Sequence, residues 1–357
     1  MLAELCDKGS SSLAQKDLLF DSGIYPVYGA AGEITKVDFF HQSKPYLGLI
    51  KDGAGVGRVM QLPANSSVIG TIQYLFPREN VDLKYLYYLI KYLDLGKSNT
   101  GTTIPHIYFK DYKKRKVKVR EYSEQKHIGQ ILELIDRHLS TYKNVLDQYD
   151  LFIKSRFVEF NKSNIHVKNL KLEDICTSIV RGPFGSALKV ESFVKKSDTS
   201  VKVYEQSNAI QKSATIGSRY ISREHYESLR RFKCKPGDII MSCSGTIGEL
   251  FILPSDAEEG IINQALCKFT LGKDLLPEVF LLYMDILIGN IETKGSGIKN
   301  ISAVKFIKNL EIPVPSIGVQ NKLLFELNQI SKLKSDVQKS IDETQLLMDS
   351  LMQEYFG

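Results

Sequence analysis

No stretch of the chain approaches the ~18 to 20 consecutive apolar residues that a bilayer crossing requires. The opening residues MLAELCDKGSSS carry an acid where a secretory signal would carry positive charge. Both absences make the cytoplasm the expected location. Cysteine is sparse and unpatterned: Cys6, Cys176, Cys234, Cys243 and Cys267 are odd in number and form no C-x-x-C pair. Neither a disulfide framework nor a thiolate zinc site is indicated, and reduced, mostly buried thiols are expected. No Pro-Pro dipeptide occurs, which rules out the N/D-P-P-Y/F tetrapeptide of amino-methyltransferases. The six histidines are scattered, and no Ser/His/Asp or Cys/His grouping stands out as a nucleophile with its base. DGAGVG at 52–57 lacks the βαβ context of a nucleotide loop and reads as a strand turn. Asp285, Glu292 and Lys294 form only a loose, unrepeated D…E-x-K nuclease pattern. No metal site is expected, and the chain reads as non-catalytic.

What is present is enough for two or three packed domains: 357 residues, 43% of them hydrophobic. A net charge of +6 permits a polyanionic partner without demanding one. An internal repeat says more. Gly57 and Pro63 match Gly248 and Pro254 at a separation of 191 positions. Gly101 and Ile104 match Gly295 and Ile298 at 194; Val117, Val119, Gln125 and Ile128 match Ile312, Val314, Gln320 and Leu323 at 195. LAELC at 2–6 resembles KLEDIC at 171–176, but at an offset of 170, so the first copy is roughly 21 residues shorter before Gly57. Two long copies imply a pseudo-two-fold molecule rather than a solenoid of many short units.

Each copy keeps one internal order. Short apolar runs broken by Gly, Pro and Ser, such as YPVYGAAGEI and KPGDIIMSCSGTIGELFILP, read as strands and turns. A helical patch follows, DLKYLYYLIKYLDL or LPEVFLLYMDILIGNI, and then a glycine turn, SNTGTTIPHI or KGSGIKNI. The unit is α+β rather than doubly wound.

A long helix closes each copy. Ile128, Ile135, Tyr142 and Tyr149 recur by sevens, as do Leu132, Leu139, Leu146 and Ile153. In the second copy Leu323, Ile330, Val337 and Leu351 form one row, and Leu327, Ile341, Met348 and Tyr355 the other. Apolar rows four and three apart are a coiled-coil seam, which needs a partner, and the other copy's helix is the nearest. The alternative is that each helix packs only on its own domain. Connectivity makes the pair antiparallel, and ~36 residues at ~1.5 Å each would span ~54 Å. The prolines of IPVP, 312–315, end the last strand before the helix starts; Val117 and Val119 are expected to do the same in the first copy.

This organisation, with KLEDIC opening a turn-rich globule, YPVYGAAG inside one and IPVP running through a Gln-containing turn into a heptad helix, resembles the specificity subunit of type I restriction-modification enzymes. The likeness covers nearly the whole chain. It implies a first target-recognition domain at 1–122, a first spacer helix at 123–163, a second target-recognition domain at 164–316 and a second spacer helix at 317–357. It further implies a chain that reads a split double-stranded DNA target and directs methyltransferase subunits, two of them, and restriction/translocase subunits, as a defence against foreign DNA. S-adenosylmethionine, ATP and Mg would then belong to the partner subunits and no cofactor to this chain. Two readers held apart by helices would select targets by spacing as well as sequence, because one duplex turn is ~34 Å.

The candidate DNA contacts are spread over both copies. KKRKVKVR at 113–120 places Lys113, Lys114, Arg115 and Lys116 in a run able to pair with phosphates, although such a run also suits a solvated strand edge. RRFKCK supplies Arg230 and Arg231. The glycine turns offer Thr102, Thr103 and His106, and Ser296, Lys299 and Asn300, at equivalent tips. Tyr25 and Tyr28 suit a groove or a core. VRGPFGSALK contributes Arg181 and Lys189, YEQSNAI contributes Gln206 and Asn208, which can pair with adenine edges, and GSRYISREHY contributes Arg219 and Arg223. Outside DNA recognition, the strongest alternative is a coiled-coil scaffold that joins partner proteins; a self-contained nuclease is a further one.

Overall fold

A computed structural model describes residues 1–18, 22–98, 105–163, 167–293 and 304–357. They divide into two compact units, Met1–Gln148 with Lys334–Gly357, and Tyr149–Leu333.

Unit 1 contains β1 (Cys6–Ser10), β2 (Tyr25–Gly29), β3 (Gly32–Val37), β4 (Tyr46–Ile50), β5 (Val59–Leu62), β6 (Ser67–Val68) and β7 (Ile72–Pro77). The helices α1 (Leu83–Leu93) and α2 (Phe109–Tyr112) follow, then the start of α3 (Tyr122–Ser163). One antiparallel sheet has the order β1-β7-β4-β5; a smaller sheet, β3-β2-β6, pairs β2 with β6 in parallel. The run YLGLI of β4 is buried at every residue, as a central strand covered on both faces must be. Asp82 starts α1 by accepting from the amides of Lys84 and Tyr85, each at 3.0 Å.

Unit 2 repeats the plan. Its elements are β8 (Asn169–Lys171), α4 (Leu172–Ile175), β9 (Cys176–Arg181), β10 (Ser200–Tyr204), α5 (Gln206–Ile210), β11 (Tyr220–Ser222), α6 (Arg223–Ser228) and β12 (Lys233–Cys234). Then come β13 (Ile239–Ser242), β14 (Leu250–Ile252), β15 (Gly260–Ile262), β16 (Leu266–Leu271), α7 (Pro277–Thr293), α8 (Val304–Lys308), β17 (Glu311–Pro313) and α9 (Ile317–Phe356). The sheet β9-β16-β13-β14 matches β1-β7-β4-β5 strand for strand, and β11-β10-β15 matches β3-β2-β6 with β12 added at its edge. The extra length of the second copy is therefore spread over connections: α5 lies between β10 and β11 where β2 and β3 are joined by a tight turn, and α6 and β12 follow β11. Even single hydrogen bonds recur. Leu2 N–H donates to Arg115 O at 3.0 Å, and Leu172 N–H to Leu310 O at 2.8 Å.

The first copy departs from expectation before α3. Residues 113–121 form no strand, and Val119 is exposed: the amides of Leu2 and Ala3 donate to the carbonyls of Arg115 and Lys113, whereas those of Lys118 and Arg120 accept from the side chains of Tyr85 and Gln125. In the second copy β17 pairs antiparallel with β8.

Within unit 1 the first turns of α3 meet the last turns of α9. Ile128, Leu132 and Leu139 share a core with Ile341, Met348, Met352 and Phe356, while Ile135, Tyr142, Leu146, Val337, Leu351 and Tyr355 pack around it. Within unit 2 the end of α3 meets the start of α9: Phe157 is buried with Leu323, Leu327 and Ile330, with Tyr149 and Ile153 alongside. The long helices are antiparallel in both places, so the fold is two α+β repeats with an antiparallel helix pair. Phe157 and Phe356 lie off the heptad rows because they turn toward a globular helix: Phe157 packs edge-on against Tyr283 of α7, with ring centroids 4.8 Å apart, and Phe356 lies against Tyr85 and Tyr92 of α1.

A buried glutamine joins each long helix to its globule. Gln125 Oε1 accepts from Asp82 N–H at 3.0 Å, and its Nε2 donates to Arg120 O at 2.8 Å and Asn80 O at 3.3 Å. Gln320 accepts from Leu276 N–H at 2.8 Å and donates to Pro315 O at 2.7 Å and Asp274 O at 2.8 Å. All three backbone partners occupy equivalent positions of the repeat.

Candidate nucleic-acid interface

The turn between β4 and β5 and its counterpart between β13 and β14 give the two units the same exposed corner. Gly57 and Gly248 end these turns at φ of +88° and +92°. A Cβ on Gly57 would stand 2.2 Å from Gly96 N, and one on Gly248 2.7 Å from Ile288 Cγ2, so both glycines are set by conformation and by close packing.

In unit 1 the tip is Ala54 and Gly55, both exposed. The segment after the glycine turn is stitched beside it: Gly53 N–H donates to Pro105 O, and Ile107 N–H to Lys51 O, each at 3.0 Å. Asp52 takes Lys51 Nζ at 2.6 Å and contacts His106 Nδ1, so His106 is held at the turn by a carboxylate. Arg58 is exposed, and its guanidinium donates to Ala30 O in the β2–β3 turn.

In unit 2 Ser244, Gly245 and Thr246 are exposed. Ser242 Oγ braces the turn from below, donating to Thr246 O at 2.6 Å and accepting from Glu249 N–H at 3.0 Å. Arg181 donates to Gln264 O at 3.1 Å and Cys243 O at 3.4 Å, and its guanidinium lies 5.4 Å from the ring of exposed Phe184. Gln206, the first residue of α5, borders the bare glycine: a Cβ on Gly245 would be 3.7 Å from both amide atoms of Gln206. Gln206 Oε1 is buried without a hydrogen-bond partner. Beside this corner Arg181, Phe184, Arg231, Phe232 and Lys308 line a cleft of about 300 Å³. Three cations and an exposed aromatic ring suit a phosphate backbone with a base edge or face.

The remaining predicted contacts separate. Lys113, Lys114, Arg115 and Lys116 lie along the strandless segment, with Lys114, Arg115 and Lys116 exposed. Among the described residues no carboxylate lies within ion-pair distance of Lys113, Lys114 or Lys116. Arg219 pairs with Glu205 at 2.6 Å, Arg223 with Glu259 at 3.5 Å and Arg230 with Glu227 at 2.5 Å, so a phosphate must compete with a carboxylate for each. Glu259 collects Lys233, Tyr226 and Arg223, and these partners, Lys233 foremost, hold its carboxyl down at about 2. Lys189 is exposed. Asn208 is a correction: it is fully buried, accepts from Glu205 N–H at 2.8 Å and donates to Ser213 O at 2.9 Å and Ile216 O at 3.0 Å, so its amide closes the α5 loop and has nothing left for a base. Tyr28 packs on the core around Tyr46, whereas half-buried Tyr25 meets the exposed Phe40 edge-on at 4.8 Å. Thr102, Thr103, Ser296, Lys299 and Asn300 lie outside the described residues, as does Lys294 of the nuclease pattern. The described residues hold no cluster of metal-ligating side chains, and no described helix is long and apolar enough to cross a membrane.

Arg58, Phe184 and Lys308 were not singled out by sequence. Arg58 had a usable signal: at the same place in the repeat stands Glu249, a reversal of charge on an otherwise matched turn.

Two copies of one α+β unit, each presenting a glycine-bare corner flanked by cations or an amide and joined to long helices, define a two-repeat nucleic-acid reader. The model of the type I restriction modification DNA specificity domain matches residues 1–148 and again residues 164–344. The chain belongs to this family; it is a non-catalytic subunit that recognises DNA by sequence. Among solved structures, the type I restriction-modification system S subunit from M. genitalium superposes with a TM-score of 0.58 at 16% identity, over 100% of this chain and 95% of that one. A chain from a structure of complex assembly and conformational transition of the type I R-M system gives 0.57 at 12% identity, over 99% and 96%. No curated protein sequence matches the chain.

Proposed function

We propose that the chain reads a split duplex target, one half with each unit, and brings to it two methyltransferase subunits and the restriction/translocase subunits, in the cytoplasm. S-adenosylmethionine, ATP and Mg are used by those partners. The observation that carries this reading is the equivalent corner in both halves of a chain whose two halves each match a DNA specificity domain. A second observation supports two partners of one kind. Leu151 and Phe152 on α3 are 66% and 50% exposed, and Leu346 and Leu347 on α9, 195 positions on, are 71% and 50% exposed. Adjacent large apolar side chains left in water at equivalent places suit two copies of the same docking protein.

Two experiments test this reading. Duplex binding by the assembled complex should weaken steeply with salt and favour one bipartite sequence. Replacing Lys113, Lys114 and Lys116 with alanine should then lower the slope of log affinity against log salt by about two to three, at ~0.9 per phosphate contact, without changing the preferred sequence. An unchanged slope would remove the basic run from the interface, and indifference to DNA would favour the scaffold. For the partners, Leu346→Lys with Leu347→Lys should reduce the methyltransferase content of the complex from two copies to one, as read by its native mass. Retention of both copies would reject the α9 doublet as a docking site.

A further inference from the structure

The two corners are built alike but carry different chemistry. Val27 and Tyr28 lie beside Ser67 and Val68 in parallel pairing, and Val203 and Tyr204 lie beside Ile261 and Ile262 in the same way. Two residues beyond these pairs the chain reaches Ala30 in unit 1 and Gln206 in unit 2, and each meets the neighbouring glycine turn: Ala30 through Arg58, Gln206 through the open side of Gly245. The amide of unit 2 therefore has a methyl group as its counterpart in unit 1. The guanidinium of unit 1 has as its counterpart the carboxylate of Glu249, which Lys212 holds at 2.6 Å.

Resting on the DNA-reading function above, we infer that this corner is the base-reading point of each unit, with Arg58 taking a guanine and Gln206 an adenine. Arg58 uses one guanidinium donor on Ala30 O, and the fork retains others for the O6 and N7 acceptors of guanine. Gln206 Oε1 is buried and meets no protein donor; turned outward past the side-chain-free Gly245 beside it, the carboxamide pairs with adenine by accepting from N6 and donating to N7. The flanking turn is bare at Gly245, Gly53 and Gly55, so backbone and base can approach closely. In unit 2 the cleft of Arg181, Arg231 and Lys308 lies beside the corner for the phosphates, which carry no sequence information themselves.

The test is selection from a library of random duplexes by the full-length chain in its assembled complex, for wild type, Arg58→Ala, Gln206→Ala and Gln206→Glu. Arg58→Ala should relax one guanine in one half of the selected sequence by about tenfold to a hundredfold, and Gln206→Ala one adenine in the other half, each leaving the opposite half unchanged. Gln206→Glu should exchange that adenine for cytosine, whose N4 amino group donates to a carboxylate, a gain that misfolding cannot imitate. Uniformly weaker binding with an unaltered sequence in all variants, or both residues acting on the same half, would overturn the assignment. A wild-type complex that selects no sequence would overturn the DNA-reading function as well.

Discussion

Gln320→Leu is expected to destabilise unit 2 by about 3 kcal/mol, an unusually large effect for one neutral side chain. The amide makes three hydrogen bonds in a site with no exposed surface. Leucine has nearly the same volume, so no cavity opens; the cost comes from leaving Leu276 N–H, Asp274 O and Pro315 O buried without partners, at roughly 1–3 kcal/mol for each group that water cannot reach. Gln125→Leu should behave alike in unit 1, with a smaller loss because its bond to Asn80 O is long, at 3.3 Å. The glutamate variants separate hydrogen bonding from shape. Glutamate keeps the acceptor for Leu276 N–H but sets a carboxylate against two carbonyl oxygens, so Gln320→Glu should also be destabilised, and less so at low pH, where a protonated carboxyl can donate. Amide exchange at the start of α7 should accelerate about a hundredfold in Gln320→Leu, and at the start of α1 in Gln125→Leu. If Gln320→Leu unfolds within 0.5 kcal/mol of wild type, the glutamine is not what ties helix to globule.

The same glutamines show where sequence reasoning reached and where it stopped. Their 195-residue separation marks the repeat, and heptad spacing finds the helices, because both signals are periodic and survive divergence elsewhere. What the amides hold is a backbone turn 43 to 46 positions away in the chain, and no local pattern announces that. Asn208 shows the opposite error: residue type made it a base reader, whereas the short helix α5 closes around its amide. Arg219 and Arg223 read as free cations in sequence because their carboxylates, Glu205 and Glu259, are 14 and 36 positions distant. Arg58 follows a glycine-rich segment that reads as a strand turn, and its partner, Ala30 O, is 28 positions distant. Periodicity is written in the sequence itself; the partners of a polar side chain are tertiary information.

Phe356→Ala should cost about 3–5 kcal/mol, the range for truncating a buried phenylalanine, although the residue is the last of α9. Helix ends ordinarily fray, and a terminal side chain then contributes little. Here the ring is 6% exposed, with centroids 5.3 Å from Tyr85 and 5.8 Å from Tyr92, both on α1. The last turn is held further by Tyr92 Oη, which donates to Gln353 Oε1 at 2.8 Å, and by Arg120, which donates to Tyr355 O at 3.4 Å. Alanine would open a hole between α1 and α9 and release these contacts together. Phe325, on the same helix but 67% exposed, is the internal control, and Phe325→Ala should stay within about 0.5 kcal/mol of wild type. The chain has no tryptophan, so far-UV circular dichroism in urea is the suitable probe. A Phe356→Ala chain as stable as Phe325→Ala would mean that the end of α9 does not seat on unit 1, and that the antiparallel pairing of the long helices is not fastened at that end.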